Sequence, residues 1–80
     1  MKEKELDTIY DALDECSRVI FCNRNRQCMF IVDYDRYEFI NGPWFSKIFL
    51  YKDNIKCGEI ISENYEEWFI DDNHQICIIP

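Results

Sequence analysis

The spacing of hydrophobic positions changes once along this 80-residue chain, close to residue 18. Before that point, three- and four-residue intervals separate the apolar residues Leu6, Ile9, Tyr10, Leu13 and Cys16. At about 100° per residue these side chains share one face of a helix. After that point, apolar residues recur every second position, and β-branched and aromatic residues dominate. The pattern therefore predicts one amphipathic helix over residues 3–17, followed by β-strands.

Short strands are predicted between turn signals through the rest of the chain. They cover residues 18–22, 27–33, 37–40, 45–52, 55–61 and 75–79. Turns are indicated around Asn25, at Asn41-Gly42-Pro43 and at Asp53-Asn54. Residues 64–70 fit either a helix start or a strand. The predicted fold is a single α+β domain over residues 1–80, with one N-terminal amphipathic helix packed on a mostly antiparallel sheet of four to six short strands.

The first predicted hairpin is apolar on both of its faces. One face is expected to carry Ile20, Cys22, Cys28, Phe30 and Val32, and the other Val19, Phe21, Met29 and Ile31. Because one helix covers only one face of a sheet well, the other face is expected to be covered by another segment, a second copy or a partner. A hairpin centred on Asn25 would also place Cys22 opposite Cys28 at bridging distance.

Residues that support catalysis or metal binding are not found in a convincing arrangement. None of the five cysteines forms a pair with the two-residue separation typical of zinc sites. The single histidine, His74, lies in a polar run that favours a hairpin loop. Asp33, Asp35 and Glu38 resemble a magnesium-binding group, but a nuclease would also need a basic groove, and this chain is acidic. We predict a protein that is not an enzyme and has no cofactor or metal.

Targeting signals are not recognised in the sequence. Residues 1–5 alternate lysine and glutamate after the first methionine, where a secretory signal would continue into an apolar run. No apolar stretch approaches the roughly 20 residues of a membrane span. We therefore expect a cytoplasmic protein of a bacterial host cell with no membrane association, in which the cysteines are free thiols that behave as small buried hydrophobic residues.

Acidic residues are concentrated at the two ends of the chain, whose formal net charge is −7. Residues 1–17 hold six acids and two lysines, residues 57–80 hold six acids and no base, and residues 18–56 hold seven bases and four acids. Carboxylates stand about 5 to 6 Å apart along a helix and about 6.7 Å apart along one face of a strand, comparable to successive phosphates of a nucleic acid. Two rows are expected to bind a partner: Asp7, Asp11, Asp14 and Glu15, and then Glu63, Glu66, Glu67, Asp71 and Asp72.

This charge distribution favours a basic protein as the partner and disfavours direct nucleic-acid binding. The arginines of the middle segment are expected to pair with the chain's own acids or with an acidic patch on a partner. In size, charge and lack of catalytic residues, though in no motif, the chain resembles the small acidic inhibitors of phages and mobile elements, including anti-CRISPR proteins. That resemblance implies a non-enzymatic inhibitor that mimics nucleic acid and occludes a CRISPR effector or nuclease. The alternatives are an immunity protein or antitoxin against a basic nuclease toxin, and a structural subunit or homodimer that uses an apolar sheet face.

Overall fold

The computed structural model describes residues 9–43 and 46–80, which form one α-helix, seven β-strands and one 3₁₀ turn. The helix, α1, spans Ile9–Glu15. The strands are β1 Arg18–Cys22, β2 Cys28–Asp33, β3 Arg36–Asn41, β4 Ser46–Lys52, β5 Ile55–Ile61, β6 Glu67–Ile70 and β7 Ile76–Ile79, and the 3₁₀ turn is Ser62–Asn64. The predicted α+β class is confirmed. Residues 3–8 of the predicted helix and residue 45 of a predicted strand lie outside the described residues.

Two sheets form, where the sequence predicted one sheet of four to six strands. Sheet A has the order β2-β1-β7-β6, and sheet B has the order β3-β4-β5. Neighbouring strands are antiparallel except β1 and β7, which are parallel. The hairpin of β6 and β7 thus pairs with the hairpin of β1 and β2, while β3, β4 and β5 form a separate three-stranded meander. The predicted antiparallel character is confirmed for every pair but that one.

The core lies between the two sheets and is closed by α1. Its fully buried large side chains are Ile9, Leu13, Val19, Ile48, Leu50, Ile60, Ile76 and Ile78. On α1 the residues Asp11, Asp14 and Glu15 are exposed, so the predicted amphipathic character is confirmed for the described part. Sheet A and sheet B approach so closely that a Cβ atom at Gly58 would lie 3.1 Å from a methyl carbon of Val32.

The register of the first hairpin corrects the predicted assignment of its faces. Val19 lies opposite Val32, and Phe21 lies opposite Phe30, with the two aromatic rings stacked 4.6 Å apart. Phe30 and Val32 therefore share the core side with β1 residues that were predicted on the opposite face. The reason is a bulge in the ladder. Between the pairs Phe21–Phe30 and Cys22–Cys28, strand β2 contains one extra residue, Met29, so the pairing beyond the bulge is shifted by one residue. Alternation alone does not reveal such a bulge.

Residues 64–70, which the sequence left open, contain the end of the 3₁₀ turn and then strand β6. Strand β6 pairs with β7 along its whole length, from Glu67 opposite Ile79 to Ile70 opposite Ile76. All four residues of β7 are buried. A buried strand needs hydrogen-bonding partners along both edges, and β6 provides them on the side away from β1. Tertiary pairing therefore decides this segment in favour of a strand.

Tyr34 fixes α1 to the connection between the two sheets. Its buried hydroxyl donates a hydrogen bond to the carbonyl oxygen of Leu13 at 2.7 Å, and its backbone N–H donates to the carbonyl oxygen of Ser17 at 3.0 Å. Leu13 is in the last turn of α1, where carbonyl groups lack intrahelical partners. Burial, the largest influence, raises the pKa of Tyr34 well above its ordinary value, so the phenol stays protonated and remains a donor. This side chain therefore satisfies a helix end that would otherwise be left unpaired.

The substitution Tyr34→Phe is expected to lower the free energy of unfolding by about 1 to 2 kcal/mol, because it leaves the Leu13 carbonyl without a donor in a buried site. Urea unfolding followed by circular dichroism measures the effect. Tyr51→Phe is the matched control, since the Tyr51 hydroxyl donates to the exposed carboxylate of Glu38, and it is expected to change stability by less than about 0.5 kcal/mol. Equal losses in the two variants would contradict the assigned role of Tyr34.

Candidate functional site

The first predicted acidic row lies on the exposed side of α1. Asp11, Asp14 and Glu15 are all exposed, while Asp7 lies outside the described residues. Asp11 and Glu15 are four residues apart, which places their side chains one above the other, about 5 to 6 Å apart. Among residues 9–43 and 46–80, their carboxylates have no hydrogen-bond or ion-pair partner. We call Asp11, Asp14 and Glu15 the helix row; two of its three charges are free for an external partner.

The third member of the helix row is held in place by sheet B. The Tyr37 hydroxyl donates a hydrogen bond to Asp14 Oδ1 at 2.6 Å. That hydrogen bond is the main reason why the pKa of Tyr37 is raised to about 12, with partial burial and the negative charge of Asp14 adding to it. The position of the Asp14 carboxylate is thereby fixed relative to strand β3.

The second predicted row is not continuous. Glu63, Glu66 and Glu67 lie at or before the start of β6, and Asp71 and Asp72 follow its end. At about 3.3 Å per residue along a strand, Glu67 and Asp71 are separated by about 13 Å. The structure therefore divides these five acids into two groups at opposite ends of β6, and it does not bring them together as one row.

Two of those five acids also have structural roles. Glu67 accepts a hydrogen bond from the guanidinium of Arg26 at 3.0 Å and forms an ion pair with it. Asp71 Oδ1 accepts backbone N–H groups of Asn73 and Gln75, which shapes the turn between β6 and β7. Glu63 and Asp72, which lie at opposite ends of β6, are exposed and have no hydrogen-bond partner within the described part of the chain.

Basic residues of the middle segment are engaged by the protein itself. Arg18 forms an ion pair with Asp33, in which Nε of Arg18 lies 2.6 Å from Oδ1 of Asp33. The hydrogen bond from this guanidinium is the main reason why the pKa of Asp33 is lowered. The Arg36 guanidinium lies 4.1 Å from the centre of the Tyr51 ring. Together with the Arg26 pair, these contacts confirm that Arg18 and Arg26 neutralise the chain's own acids. The exposed acids on α1 therefore carry an excess of negative charge.

A second exposed feature is apolar and consists of residues that the sequence placed on the two apolar faces of the first hairpin. Strand β2 lies at the edge of sheet A, and three consecutive side chains on it are exposed: Met29 by 63%, Phe30 by 56% and Ile31 by 52%. An edge strand also presents backbone groups that pair readily with another strand. The sequence signal was present in the apolar run itself, but which strand is an edge depends on the sheet order. We call Met29, Phe30 and Ile31 the β2 edge.

The outer face of sheet A, opposite the core, is also apolar. Cys22, Cys77 and Ile79 form a small cluster there, with Ile20 and Phe69 packed against it. This arrangement agrees with the expectation that both faces of the first hairpin are apolar. The free thiols include these two buried cysteines and the exposed Cys28 and Cys57, so the expectation that the cysteines are buried is wrong for the latter two.

Groups that were weighed for catalysis are dispersed by the fold. His74 is exposed and occupies a left-handed position at φ 60° in the β6–β7 turn, as expected for a hairpin loop. Of the acids weighed for magnesium, Asp33 pairs with Arg18, and Asp35 accepts the backbone N–H of Asp53 at 3.0 Å. Across the described ranges 9–43 and 46–80, no three His, Cys, Asp or Glu side chains are grouped as metal ligands.

Comparisons with known proteins do not indicate a function for this chain. No protein-family model matches the chain, and no curated protein or solved structure shows significant similarity to it. Within the described residues, no helix is both long enough and apolar enough to cross a membrane. The helix row and the β2 edge are therefore the surface features from which we infer a function.

The substitution Asp14→Asn is expected to lower the pKa of Tyr37 from about 12 towards the ordinary tyrosine value near 10, because the charged acceptor is lost. Since the folded-state pKa is the higher one, the interaction stabilises the fold fully below about pH 10, and this stabilisation is lost as the pH rises through about 12. A spectrophotometric tyrosine titration measures the change, with Glu15→Gln as the control that removes a neighbouring charge but no hydrogen bond to Tyr37. Superimposable titrations of wild type and Asp14→Asn would refute the assignment.

Proposed function

We propose that the protein is a non-enzymatic inhibitor that binds a basic surface of a nucleic-acid-binding protein and occludes it. The observation that carries the proposal is the helix row, in which Asp11 and Glu15 are exposed, one turn apart and without a partner among the described residues. Asp14 adds a third carboxylate whose position is fixed by Tyr37. A partner with lysines and arginines along a groove has the complementary charge pattern.

Electrostatics favours this class of partner over nucleic acid itself. The chain carries a net charge of −7, and Arg18 and Arg26 are already paired with its own carboxylates. Over about 8 to 10 Å in physiological salt, such a surface repels polyanions and accelerates association with cationic surfaces. Carboxylates spaced by one helical turn also approximate the spacing of successive phosphates. The protein would thereby compete with nucleic acid for the same groove.

The target class follows from that competition. A CRISPR effector and a basic nuclease toxin both hold nucleic acid in a groove lined by lysine and arginine, so an anti-CRISPR-like inhibitor and an immunity protein would use the same chemistry. We place the anti-CRISPR-like function first because occlusion of an extended channel requires a rigid row of charges and no enzyme activity. In this proposal Glu63 and Asp72 contribute long-range attraction, since they lie outside the helix row.

A second candidate function, homodimerisation, is favoured by the β2 edge. The far end of β2 is covered by β5, where the Cys57 thiol lies 3.3 Å from the carbonyl oxygen of Asp33. An added strand would therefore pair with the open part of β2, from Cys28 to Ile31. Antiparallel pairing of two copies centred between Met29 and Phe30 would bring the basic turn of each copy towards an acidic stretch of the other.

The charge complementarity of that dimer can be specified from the register. With Met29 of one copy opposite Phe30 of the other, Arg24 falls opposite Asp35 on each side of the two-fold axis. Arg26 and Asp33 also fall opposite each other, but each already forms an ion pair within its own copy, so the added charge complementarity comes from Arg24 and Asp35. The exposed side chains of the β2 edge would be covered in the same step, which removes apolar surface from water.

The inhibitor proposal predicts that loss of two charges from α1 weakens binding. A target is captured from bacterial lysate on the immobilised protein and purified, and its Kd is then measured. The double variant Asp11→Asn, Glu15→Gln is expected to bind about tenfold or more weakly and with a smaller salt dependence, because two interfacial ion pairs are lost. A nucleic acid bound by the target should also compete with the wild-type protein.

The matched control for that measurement is the double variant Glu38→Gln, Glu59→Gln. It removes the same net charge from the outer side of sheet B, where Glu38 accepts from Tyr51 and Glu59 pairs with Lys56. It is expected to change Kd by no more than about twofold. Equal weakening by both double variants would mean that net charge acts without a defined surface. Unchanged binding by the α1 variant would refute the proposed role of the helix row.

The dimer candidate predicts a mass near twice 9.8 kDa in light scattering at high protein concentration. Phe30→Lys is expected to convert the dimer to a monomer, since it places two like charges close to the two-fold axis and removes exposed apolar surface. Ile55→Lys is the control, because Ile55 is 70% exposed on β5 and lies outside the proposed interface. A strictly monomeric wild-type protein would eliminate this candidate without affecting the inhibitor proposal.

A further inference from the structure

Three thiols lie on adjacent strands on the outer face of sheet A. Cys28 on β2 is the ladder partner of Cys22 on β1, and Cys77 lies on the next strand, β7. Cys28 is exposed, whereas Cys22 and Cys77 are only 9% and 6% exposed. A reagent in solution can therefore reach the Cys28 thiol, whereas the Cys22 and Cys77 thiols are covered.

Geometry selects one pair among these three thiols. Cys22 and Cys28 lie directly opposite each other next to the β1–β2 turn, where the backbone N–H of Asn23 donates to the carbonyl oxygen of Gln27 at 2.9 Å. Cα atoms of directly opposed residues in an antiparallel pair are about 4.5 to 5.5 Å apart, within the range of about 4.4 to 6.8 Å that a disulfide spans.

The neighbouring thiol on β7 is too far away for a bridge. Cys77 lies opposite Ile20, two residues from Cys22 along β1. A diagonal neighbour of this kind has its Cα atom about 7 to 8 Å away, beyond the span of an unstrained disulfide. Cys77 is therefore not placed to form a bond with Cys22.

We propose that Cys22 and Cys28 form a reversible oxidation site for low-molecular-weight disulfides such as glutathione disulfide. The Cys28 thiolate attacks one sulfur of the oxidant, forms a mixed disulfide and releases one glutathione. The sulfur of Cys22 then attacks the Cys28 sulfur, forms the cross-strand disulfide and releases the second glutathione. The two protein thiols lose two electrons and two protons in total, and the oxidant is reduced to two glutathione thiols.

Cys77 does not take part in either step. Its single S–H donates to Asp71 Oδ2 at 3.9 Å. Burial, the largest influence, and the nearby charge of Asp71 raise the pKa of Cys77 to about 11, so at neutral pH this thiol keeps its proton and is a poor nucleophile.

The bridge would also act on the β2 edge. It joins β2 to β1 next to the turn, at the end of β2 that β5 does not cover. A disulfide at this point restricts fraying of the edge strand, because the two strands can no longer separate at the turn. Oxidation would thus stabilise the exposed apolar strand in its paired conformation.

The test is peptide mapping of the native wild-type protein after incubation with glutathione disulfide and alkylation of the remaining thiols. Arg24 and Arg26 lie between the two cysteines, so trypsin separates peptides 19–24 and 27–36 unless a disulfide joins them. We expect the joined pair as the main product. Cys22→Ser is expected to retain one glutathione on Cys28. The exposed Cys57, which has no cysteine opposite it, is expected to remain a mixed disulfide in every variant that retains this residue.

The exclusion of Cys77 is tested by the variant Cys77→Ser. It is expected to form the joined pair of peptides at the wild-type rate, because Cys77 takes part in neither step. Cys57→Ser is the matched control, and circular dichroism verifies the fold of each variant. The proposal is overturned if the wild-type protein keeps glutathione on Cys28 with Cys22 still reduced, or if the bridge joins Cys22 to Cys77.

Discussion

The insertion of β7 between β1 and β6 is the constraint on which the rest of the structure depends. All four residues of β7 are buried, and two of them, Ile76 and Ile78, belong to the core shared by both sheets. A strand buried on both faces must have its backbone hydrogen bonds satisfied on both edges, which fixes β1 on one side and β6 on the other. This arrangement leaves β2 and β6 as the edges of sheet A. It also places Cys77 beside Cys22 on the outer face.

The same insertion determines which charges remain available. Strand β6 is extended along β7, so the acids before it and after it are carried to opposite ends of the sheet. Its first residue, Glu67, comes within reach of Arg26 in the β1–β2 turn and becomes part of the protein's internal charge balance. Helix α1 takes no part in this pairing, and its carboxylates Asp11 and Glu15 stay exposed. The position of the helix row is therefore a consequence of sheet order as much as of helical periodicity.

Local patterns predicted most elements but not their assembly. Periodicity located α1 and the strands, and the turn around Asn25 predicted the pairing of Cys22 with Cys28, because these features depend on neighbouring residues. The split into two sheets, the parallel β1–β7 pair and the β-strand at residues 67–70 depend on contacts between distant parts of the chain. The bulge in β2 changed which side chains share a face with Phe21. For the candidate site, exposure of the helix row followed from the sequence, whereas the β2 edge required knowledge of the sheet order.

The location of the helix row has a cost within the isolated protein. Asp14 and Glu15 lie in the last turn of α1, where the helix dipole disfavours negative charge, and no basic residue occupies that turn. Like charges one turn apart, such as Asp11 and Glu15, repel by roughly 0.2 to 0.5 kcal/mol. The described part of α1 has seven residues and little stability of its own, so the burial of Ile9 and Leu13 and the Tyr34 hydrogen bond must offset this repulsion. Cations that approach from outside would relieve this repulsion. That relief is the physical argument behind the proposed basic partner at α1.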